Sequence, residues 1–246
     1  MMAKKMVILG GGESGTGAAI LCRKQGTEVF VSDSGRIPDR YKNELKQYDI
    51  AWEEEKHSED KILNADEIVK SPGIPEQNRL VQKIKAKGIQ LISEIELAYR
   101  HKEKSKIIAV TGSNGKSTTT ALTGHICKTG GIDCAVVGNI GYSFARQVAL
   151  DPKPLYVVEV SSFQLDDIET FNADIAVLLN ITEDHLDRYA YRFENYIRSK
   201  FNIIKNQTPA DYFIYCADDP VITQHLETYP LLSNPLPFTM QYELPK

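Results

Sequence analysis

The chain has 246 residues, of which 42 % are hydrophobic, and this is enough apolar content for one large or two ordinary packed domains. Intrinsic disorder is therefore excluded as the main interpretation of the chain. The 33 acidic and 29 basic side chains leave a formal net charge of -4, without the basic excess that binding to a nucleic-acid backbone usually needs. The apolar run at residues 6–9 is too short for a secretory signal, and nothing approaches a membrane span. The four cysteines are scattered without a C-x-x-C pair, so we expect a soluble cytoplasmic protein with reduced thiols and neither a nucleic-acid nor a membrane partner.

Short apolar strands alternate with amphipathic helical stretches through the first hundred residues. The predicted strands of this half are 6–9, 28–32, 67–70 and 90–93. Alternation of this kind is typical of a parallel sheet covered by helices. We therefore predict an N-terminal α/β domain with a Rossmann-like parallel sheet.

A charged run without apolar residues, 101–106, precedes a second series of strands and helices. We place the domain boundary there, which divides the chain into residues 1–103 and 104–246. The predicted strands of the second half are 107–110, 134–137, 155–160, 173–180 and 212–216. From Tyr229 onward, weak periodicity and prolines at 230, 235, 237 and 245 predict extended or irregular chain. Both halves are thus predicted to be α/β.

The first glycine loop is the segment 10–15, Gly-Gly-Gly-Glu-Ser-Gly, which fits the pattern G-x-G-x-x-G between a predicted strand and a predicted helix. Asp33 ends the next strand, as a ribose-binding carboxylate would. Backbone N–H groups and a helix N-terminus suit a diphosphate, and NAD, FAD or a nucleotide-sugar diphosphate would all satisfy the pattern. A purely structural turn is the remaining alternative. The segment 71–73, Ser-Pro-Gly, is a second candidate contact at the same sheet edge, although such a segment is more often only a turn.

The second glycine loop, Thr-Gly-Ser-Asn-Gly-Lys-Ser at residues 111–117, is more specific. It lies between a predicted strand and a predicted helix, which is the arrangement that surrounds nucleotide phosphates with backbone N–H groups. In this arrangement Lys116 would bridge the β- and γ-phosphates and the Ser117 hydroxyl would meet Mg²⁺. Val110 stands where the common P-loop pattern has its first glycine, which makes an ordinary P-loop GTPase or kinase less favoured. A polar helix cap is the alternative, and it leaves Lys116 unexplained.

A carboxylate for a metal ion stands at the end of the apolar strand 155–160. Glu159 falls on the buried side by pattern, and a buried carboxylate is costly without a partner. Mg²⁺, which prefers oxygen ligands, would supply that partner.

Lys200 lies in the middle of the apolar face of a helix predicted over residues 193–206. One interpretation is a side chain whose stem packs while its amine reaches solvent. The other is a buried amine of depressed pKa, which could react with CO₂ to form an anionic, metal-binding carbamate. His185 follows the predicted strand 173–180 at the edge where open α/β sheets bind ligands, although a histidine in an acidic loop is usually only solvated.

These motifs, in this order, resemble the Mur ligases of peptidoglycan synthesis, and among them the member that adds D-glutamate. The resemblance covers essentially the whole chain. It rests on TGSNGKSTT at 111–119, GNIG at 138–141, EVSSFQL at 159–165, NITEDHLDRY at 180–189 and the helix lysine, with SEIEL at 93–97 in support.

The resemblance implies a role for each candidate residue. The N-terminal domain would bind the UDP end of the substrate, and Glu13 departs from the apolar residue expected beside the uracil. A P-loop-type central domain, incomplete at its C-terminal end, would bind ATP with two Mg²⁺ ions.

The UDP-substrate residues implied by the resemblance are Ser14, Asp33, Ser34, Gly73 and Asn139, of which Asn139 would also help to position the reacting group. The ATP residues implied are Gly112, Ser113, Asn114, Gly115, Lys116, Ser117 and Thr118. The metal ligands implied are Ser117 and Glu159 for one ion and His185 with a carbamylated Lys200 for the other, and Lys116, Asn139, His185 and Lys200 would be catalytic.

The implied reaction is ATP-dependent addition of D-glutamate to UDP-MurNAc-L-Ala through an acyl phosphate, by a monomer. The family carries a third, C-terminal domain that binds the amino acid, and we expect this domain to be absent from the chain. We therefore expect this chain to bind substrate without completing ligation. Two alternatives stay open: an NAD-dependent oxidoreductase, supported only by the first glycine loop and Asp33, and a nucleotide-binding module without turnover.

Overall fold

The computed structural model describes residues 4–229 and 231–241, which form two compact units, each built on a parallel sheet. The first unit runs to Glu103 and also includes Gly141–Pro152 and Asp167–Glu169. The second comprises Lys104–Ile140, Lys153–Asp166 and the chain from Thr170. Two parallel α/β units confirm the predicted fold class.

The helices and strands alternate along the chain with short connections. In chain order they are β1 (Lys5–Leu9), α1 (Glu13–Lys24), β2 (Glu28–Ser32), α2 (Asp39–Gln47), β3 (Ala51–Glu53), α3 (Glu59–Ile62), β4 (Glu67–Lys70), α4 (Arg79–Ala86), β5 (Gln90–Ser93), α5 (Glu94–His101), β6 (Lys106–Thr111), α6 (Lys116–Thr129), β7 (Cys134–Gly138), α7 (Phe144–Leu150), β8 (Leu155–Glu159), α8 (Ser162–Leu165), β9 (Ile175–Leu178), α9 (Phe193–Phe201), β10 (Tyr212–Cys216), α10 (Pro220–His225) and β11 (Asn234–Phe238).

The first sheet has the strand order β3-β2-β1-β4-β5 among the described residues, with every neighbouring pair parallel. The central strand β1 is buried except at its first residue, because helices cover both faces of such a sheet. The strand β3 was not predicted. It has only three residues, of which Glu53 alone is buried, so no apolar period marks it.

The second sheet has the order β11-β10-β9-β6-β8-β7 within the part of the chain that the structure describes, again with parallel pairs. The prediction of irregular chain after Tyr229 is wrong for β11, whereas residues 230 and 245 lie outside the described residues. Pro235 and Pro237 fit because β11 is the last strand in the order. An edge strand has one side without a partner strand, and alternate residues can place their missing N–H groups there.

The helix α7 belongs to the first unit, although it follows β7 of the second unit in the chain. The buried guanidinium of Arg146 pairs with Glu13 at 2.8 Å and with Glu44, and the Glu94 carboxylate accepts hydrogen bonds from Ser143 Oγ (2.6 Å) and Ala145 N (2.7 Å). The predicted ranges 1–103 and 104–246 omit this return of the chain, because these polar partners are distant in sequence.

The helix predicted over residues 193–206 is α-helical only to Phe201, and Asn202–Ile204 continue as a 3-10 turn. Its apolar face is buried as predicted. Within residues 4–229 and 231–241, no helix has the length and apolar content needed to cross a membrane.

Candidate functional site

The first glycine loop lies at the carboxyl edge of the first sheet, against the loop that follows β4. Gly10 has φ +100, and a Cβ atom there would lie 2.3 Å from Ser71 Oγ. A Cβ on Gly15 would lie 1.9 Å from the Gly10 carbonyl oxygen, so only glycine lets α1 begin this close to β1. A Cβ on Gly12 or Gly73 would meet nothing within 4 Å. The structure therefore brings both candidate segments together around open space.

Asp33 holds the first glycine loop in place. Its Oδ2 accepts a hydrogen bond from Gly11 N at 2.6 Å, and its Oδ1 accepts one from Gly35 N at 2.8 Å. A carboxylate oxygen can accept more than one hydrogen bond, so a ribose hydroxyl could still bind there. Ser14 lies half-buried in the first turn of α1, and Ser34 is exposed beside Asp33.

Glu13, the residue that departs from the family pattern, has a partner within its own unit. Its carboxylate accepts from Ser143 N and from the Arg146 guanidinium, which is itself buried. An acidic side chain is thus tolerated beside a predicted diphosphate site because a buried cation lies next to it.

The second glycine loop joins β6 to α6 and is held by the segment after β9. Gly115 has φ +81 and forms the N-cap of α6, which is a left-handed position that favours glycine. Asn180 accepts from Ser113 N through its backbone oxygen (2.9 Å) and from Asn114 N through Oδ1 (2.8 Å). Ser113 Oγ also lies 3.2 Å from the Tyr196 hydroxyl of α9.

Two lysine amines meet at one carbonyl oxygen of this loop. Lys116 Nζ donates to Gly112 O at 2.9 Å and to Ser113 O at 3.0 Å, while Lys200 Nζ donates to Gly112 O at 2.8 Å. Ser117 and Thr118 lie exposed in the first turn of α6. The loop therefore combines the amine of Lys116 with a helix N-terminus, which together suit a polyphosphate.

Lys200 does not reach solvent. The residue is 1 % exposed, and its amine lies 4.6 Å from the centre of the Tyr196 ring. Burial, followed by the nearby charge of Lys116, lowers the pKa of Lys200 to about 7. The structure thus favours the buried amine over the solvent-seeking side chain.

Glu159 ends β8 between the ends of β6 and β7. It is 2 % exposed, its Oε1 accepts from Asn139 Nδ2 at 2.8 Å, and its Oε2 has no hydrogen-bond partner among the described residues. Thr111 Oγ1, at the end of β6, is buried without a partner in the same set. An unpaired buried carboxylate oxygen is costly in a folded protein, and a divalent cation would satisfy it.

His185 is the candidate whose surroundings favour a metal least. Its side chain is 54 % exposed, its backbone is left-handed (φ 51), and its ring lies 5.2 Å from that of Phe163. Within the described residues no group of three His, Cys, Asp or Glu side chains could hold a metal ion. The residues present fit Mg²⁺ at Glu159, where a hydroxyl and phosphate oxygens would complete the ligand set. In this structure Lys200 Nζ donates a hydrogen bond to Gly112 O. Only a carbamate formed on Lys200 could serve as a metal ligand.

Two family models match the chain. The Mur ligase middle domain matches residues 110–232, and the N-terminal domain of MurD-like Mur ligases matches residues 4–93. The chain belongs to the Mur ligase family. Both sites of this Mur ligase chain fall within the matched ranges.

The curated relatives that match the chain share one name with each other. The UDP-N-acetylmuramoylalanine–D-glutamate ligase of Christiangramia forsetii is 54 % identical over 243 residues, which are 99 % of this chain and 54 % of the relative. That of Bacteroides fragilis is 50 % identical over 236 residues, which are 96 % of this chain and 53 % of the relative. The chain spans about half the length of the curated relatives it matches.

Solved structures show the same fold. The UDP-N-acetylmuramate:L-alanyl-γ-D-glutamyl-meso-diaminopimelate ligase from Neisseria meningitides matches with a TM-score of 0.67 at 18 % identity, covering 96 % of this chain and 78 % of that one. The UDP-N-acetylmuramate-alanine ligase from Thermotoga maritima matches with a TM-score of 0.58 at 21 % identity. The match covers 97 % of this chain and 53 % of that one.

Several residues that shape the sites were not predicted. Asn180 and Tyr196 hold the second glycine loop, and Arg146 pairs with Glu13. The motif NITEDH could have indicated Asn180, because it follows a strand next to β6. Nothing local in the sequence indicates the partners of Tyr196 or Arg146.

Proposed function

We propose that the chain supplies the nucleotide-sugar and ATP sites of a cytoplasmic ligase that adds D-glutamate to UDP-MurNAc-L-Ala. The main support for the proposal lies at the carboxyl edge of the second sheet. There Glu159, with its unpaired oxygen, ends the strand β8, which is the neighbour of the strand β6 that leads into the Lys116 loop. A phosphate loop with a buried, partnerless carboxylate suits ATP with Mg²⁺. The names of the curated relatives supply the two substrates.

Each residue has a task in this reaction. The first glycine loop, with Asp33, would bind the UDP end of the substrate. Lys116 would leave the carbonyl oxygens of its own loop and bind the β- and γ-phosphates. Asn139, held by Glu159, would orient the substrate carboxylate. Mg²⁺ at Glu159 and Ser117 would neutralise charge on the phosphate oxygens.

The chemistry then needs positioning more than a protein nucleophile. The substrate carboxylate attacks the γ-phosphorus, ADP leaves, and an acyl phosphate forms. The D-glutamate amine attacks the acyl carbon, and the tetrahedral intermediate releases phosphate and a proton to leave the amide. Lys116 stabilises the charge that develops on the transferred phosphoryl group.

Lys200 is proposed to act as a carbamate in the assembled site. Its lowered pKa makes a neutral amine available near pH 7, and the amine attacks CO₂ with loss of one proton. The carbamate would place an anion beside Lys116, and with His185 it would hold a second Mg²⁺.

Calorimetry on the 246-residue chain tests the proposal. We expect heat from UDP-MurNAc-L-Ala and from Mg²⁺-ATP, and none from NADH. Lys116→Ala should weaken ATP binding at least about tenfold, or about 1.4 kcal/mol, without changing the UDP-substrate affinity. NADH binding without UDP-substrate binding would instead support the oxidoreductase alternative, to which no matched family model corresponds.

A further inference from the structure

Two thiols of the second unit lie at the two ends of one tight connection. Cys127 is in the last turn of α6, and Cys134 is the first residue of β7. Both are free cysteines, of which Cys127 is half-buried and Cys134 is buried. The proposed function gives neither thiol a task, because it uses the far ends of these two elements, at Lys116 and Asn139.

The connection between the two cysteines is closed by a backbone hydrogen bond. The chain leaves α6 through two glycines, of which Gly131 has a left-handed φ of +80 that favours glycine. Ile132 N then donates to Cys127 O at 2.9 Å. The chain has therefore returned to the last turn of α6 only two residues before Cys134.

The Cys134 side chain points at the side of α6 that carries Cys127. Its Sγ lies 3.6 Å from Gly124 O, and Gly124 is three residues before Cys127, on the same side of the helix. Helix carbonyl groups point toward the C-terminal end, so a thiol at Gly124 O lies near the next turn, which contains Cys127. The helix is also close to β7, because a Cβ on Gly124 would lie 2.1 Å from Val136 Cγ2. Val136 and Cys134 share one face of the strand.

The two thiols therefore interact, and they differ in reactivity. Burial raises the pKa of the Cys134 thiol, and the charge of Cys127 and a hydrogen bond with its side chain raise it further. A thiol of raised pKa is a poor first target for an oxidant, since the thiolate is the reactive form. Cys127 is the more exposed of the two, so an oxidant reaches it first.

The other two cysteines are not placed to compete for Cys127. Cys216 is on β10, and the order β10-β9-β6-β8-β7 puts four strand spacings, about 19 Å, between β10 and β7. Cys22 is 2 % exposed, within α1 of the first unit. The partner of Cys127 is thus Cys134.

We propose that Cys127 and Cys134 form a reversible oxidation site, which hydrogen peroxide converts to a disulfide. The Cys127 thiol loses its proton and attacks one peroxide oxygen. The O–O bond breaks and the hydroxide that leaves takes up the proton, so a sulfenic acid and water form. The Cys134 sulfur then attacks the Cys127 sulfur, the S–O bond breaks, and hydroxide leaves with the Cys134 proton as a second water. Two thiols are oxidised and one peroxide is reduced.

The disulfide has two physical consequences for the second unit. It protects Cys127 from further oxidation to the sulfinic acid, which thiol reductants do not reverse. It also ties the C-terminal end of α6 to the start of β7, at the end of the helix away from Lys116. A dithiol reductant restores both thiols by exchange.

Peptide mapping of the full chain tests the proposal. Trypsin cleaves after Lys128, between the two cysteines, so residues 117–128 and 129–146 separate unless a disulfide joins them. We expect treatment of the folded protein with hydrogen peroxide to yield the two peptides joined, with the loss of two hydrogen atoms. Dithiothreitol should release them.

Serine variants assign each step of the reaction. Cys127→Ser and Cys134→Ser should both abolish the joined product. In Cys134→Ser, dimedone should label Cys127, because its sulfenic acid no longer meets a second thiol. Cys216→Ser is the matched control, since Cys216 is also half-buried in the second unit, and it should leave the joined product unchanged. Circular dichroism shows whether each variant is folded.

Three results would overturn the proposal. One is the absence of the joined peptides from the peroxide-treated wild-type protein. Another is a disulfide from Cys127 to Cys216 or between two chains, because either would show that Cys127 and Cys134 do not meet in the fold. The third is dimedone labelling of Cys134 in Cys127→Ser without labelling of Cys127 in Cys134→Ser, which would contradict the assigned order of attack.

Discussion

Glu94 should make the first unit less stable as the pH rises, and Glu94→Gln should remove this dependence. The carboxyl group begins α5 and accepts hydrogen bonds from Ser143 Oγ and Ala145 N. Burial raises the pKa of Glu94 from 4.5 to about 7, and the nearby charge of Glu13 acts in the same direction. The hydrogen bonds oppose the shift without cancelling it.

The sign follows from proton binding in the two states. Between pH 4.5 and about 7 the folded protein holds a proton on Glu94 that the unfolded chain has lost, so raising the pH favours unfolding. The stabilisation is fully present below 4.5 and is lost as the pH passes through about 7. At about 1.4 kcal/mol per pH unit, the gap between these values corresponds to about 3 kcal/mol in the free energy of unfolding.

Urea unfolding followed by Trp52 fluorescence measures this effect, because Trp52 lies in the same unit as Glu94. The wild-type chain and Glu94→Gln are compared from pH 4.5 to 8.5. Glutamine keeps the acceptor oxygen without the charge, and the contributions of other carboxyl groups cancel in the difference. We expect the variant to gain about 3 kcal/mol relative to wild type across this range. A difference that stays constant with pH would refute the reasoning.

Three further predictions concern Gly15, Glu159 and Lys200. Gly15→Ala should destabilise the first unit by at least about 2 kcal/mol, because the new Cβ atom would lie 1.9 Å from Gly10 O. Gly12→Ala is the matched control: its Cβ atom would meet nothing within 4 Å, so the midpoint of urea unfolding should change little. Equal midpoints for the two variants would contradict this packing. Glu159→Gln should remove the effect of Mg²⁺ on ATP affinity in calorimetry. It should not lower the melting temperature, since Glu159 Oε2 has no hydrogen-bond partner among the described residues. An unchanged Mg²⁺ dependence would rule out Glu159 as a metal ligand. Carbon-13 NMR with labelled bicarbonate should show a carbamate signal above pH 7 that Lys200→Met lacks, because the buried amine is neutral there; a signal of equal strength in the variant would place the carbamate elsewhere.

Local sequence was sufficient for much of the fold. The strands β2, β4, β5 and β10 have the predicted bounds, because each contains two or more consecutive apolar residues between turn-forming segments. The strand β3 is too short to show a period, and β11 contains prolines that normally argue against a strand. Both missed strands lie at sheet edges, where sequence constraints are weakest.

The candidate sites divide in a similar way. Glycine spacing indicated both loops, because a left-handed turn at Gly115 or a close approach at Gly15 admits few other residues. The lysine that follows Gly115 made the second loop the more specific of the two. For Lys200 and Glu159 the pattern indicated burial, but it left open whether the amine reaches solvent. Only the packing of α9 against the second loop shows that it does not.

The sequence by itself determined the α/β alternation, the two loops and the chemistry available at each, since these follow from short-range periodicity and backbone sterics. The tertiary structure decided which distant groups meet. It placed Lys200 and Lys116 on one carbonyl oxygen and left a Glu159 oxygen without a partner among the described residues. The reason is physical. The pKa values and proton positions depend on burial and on partners far away in sequence, and local periodicity does not record either.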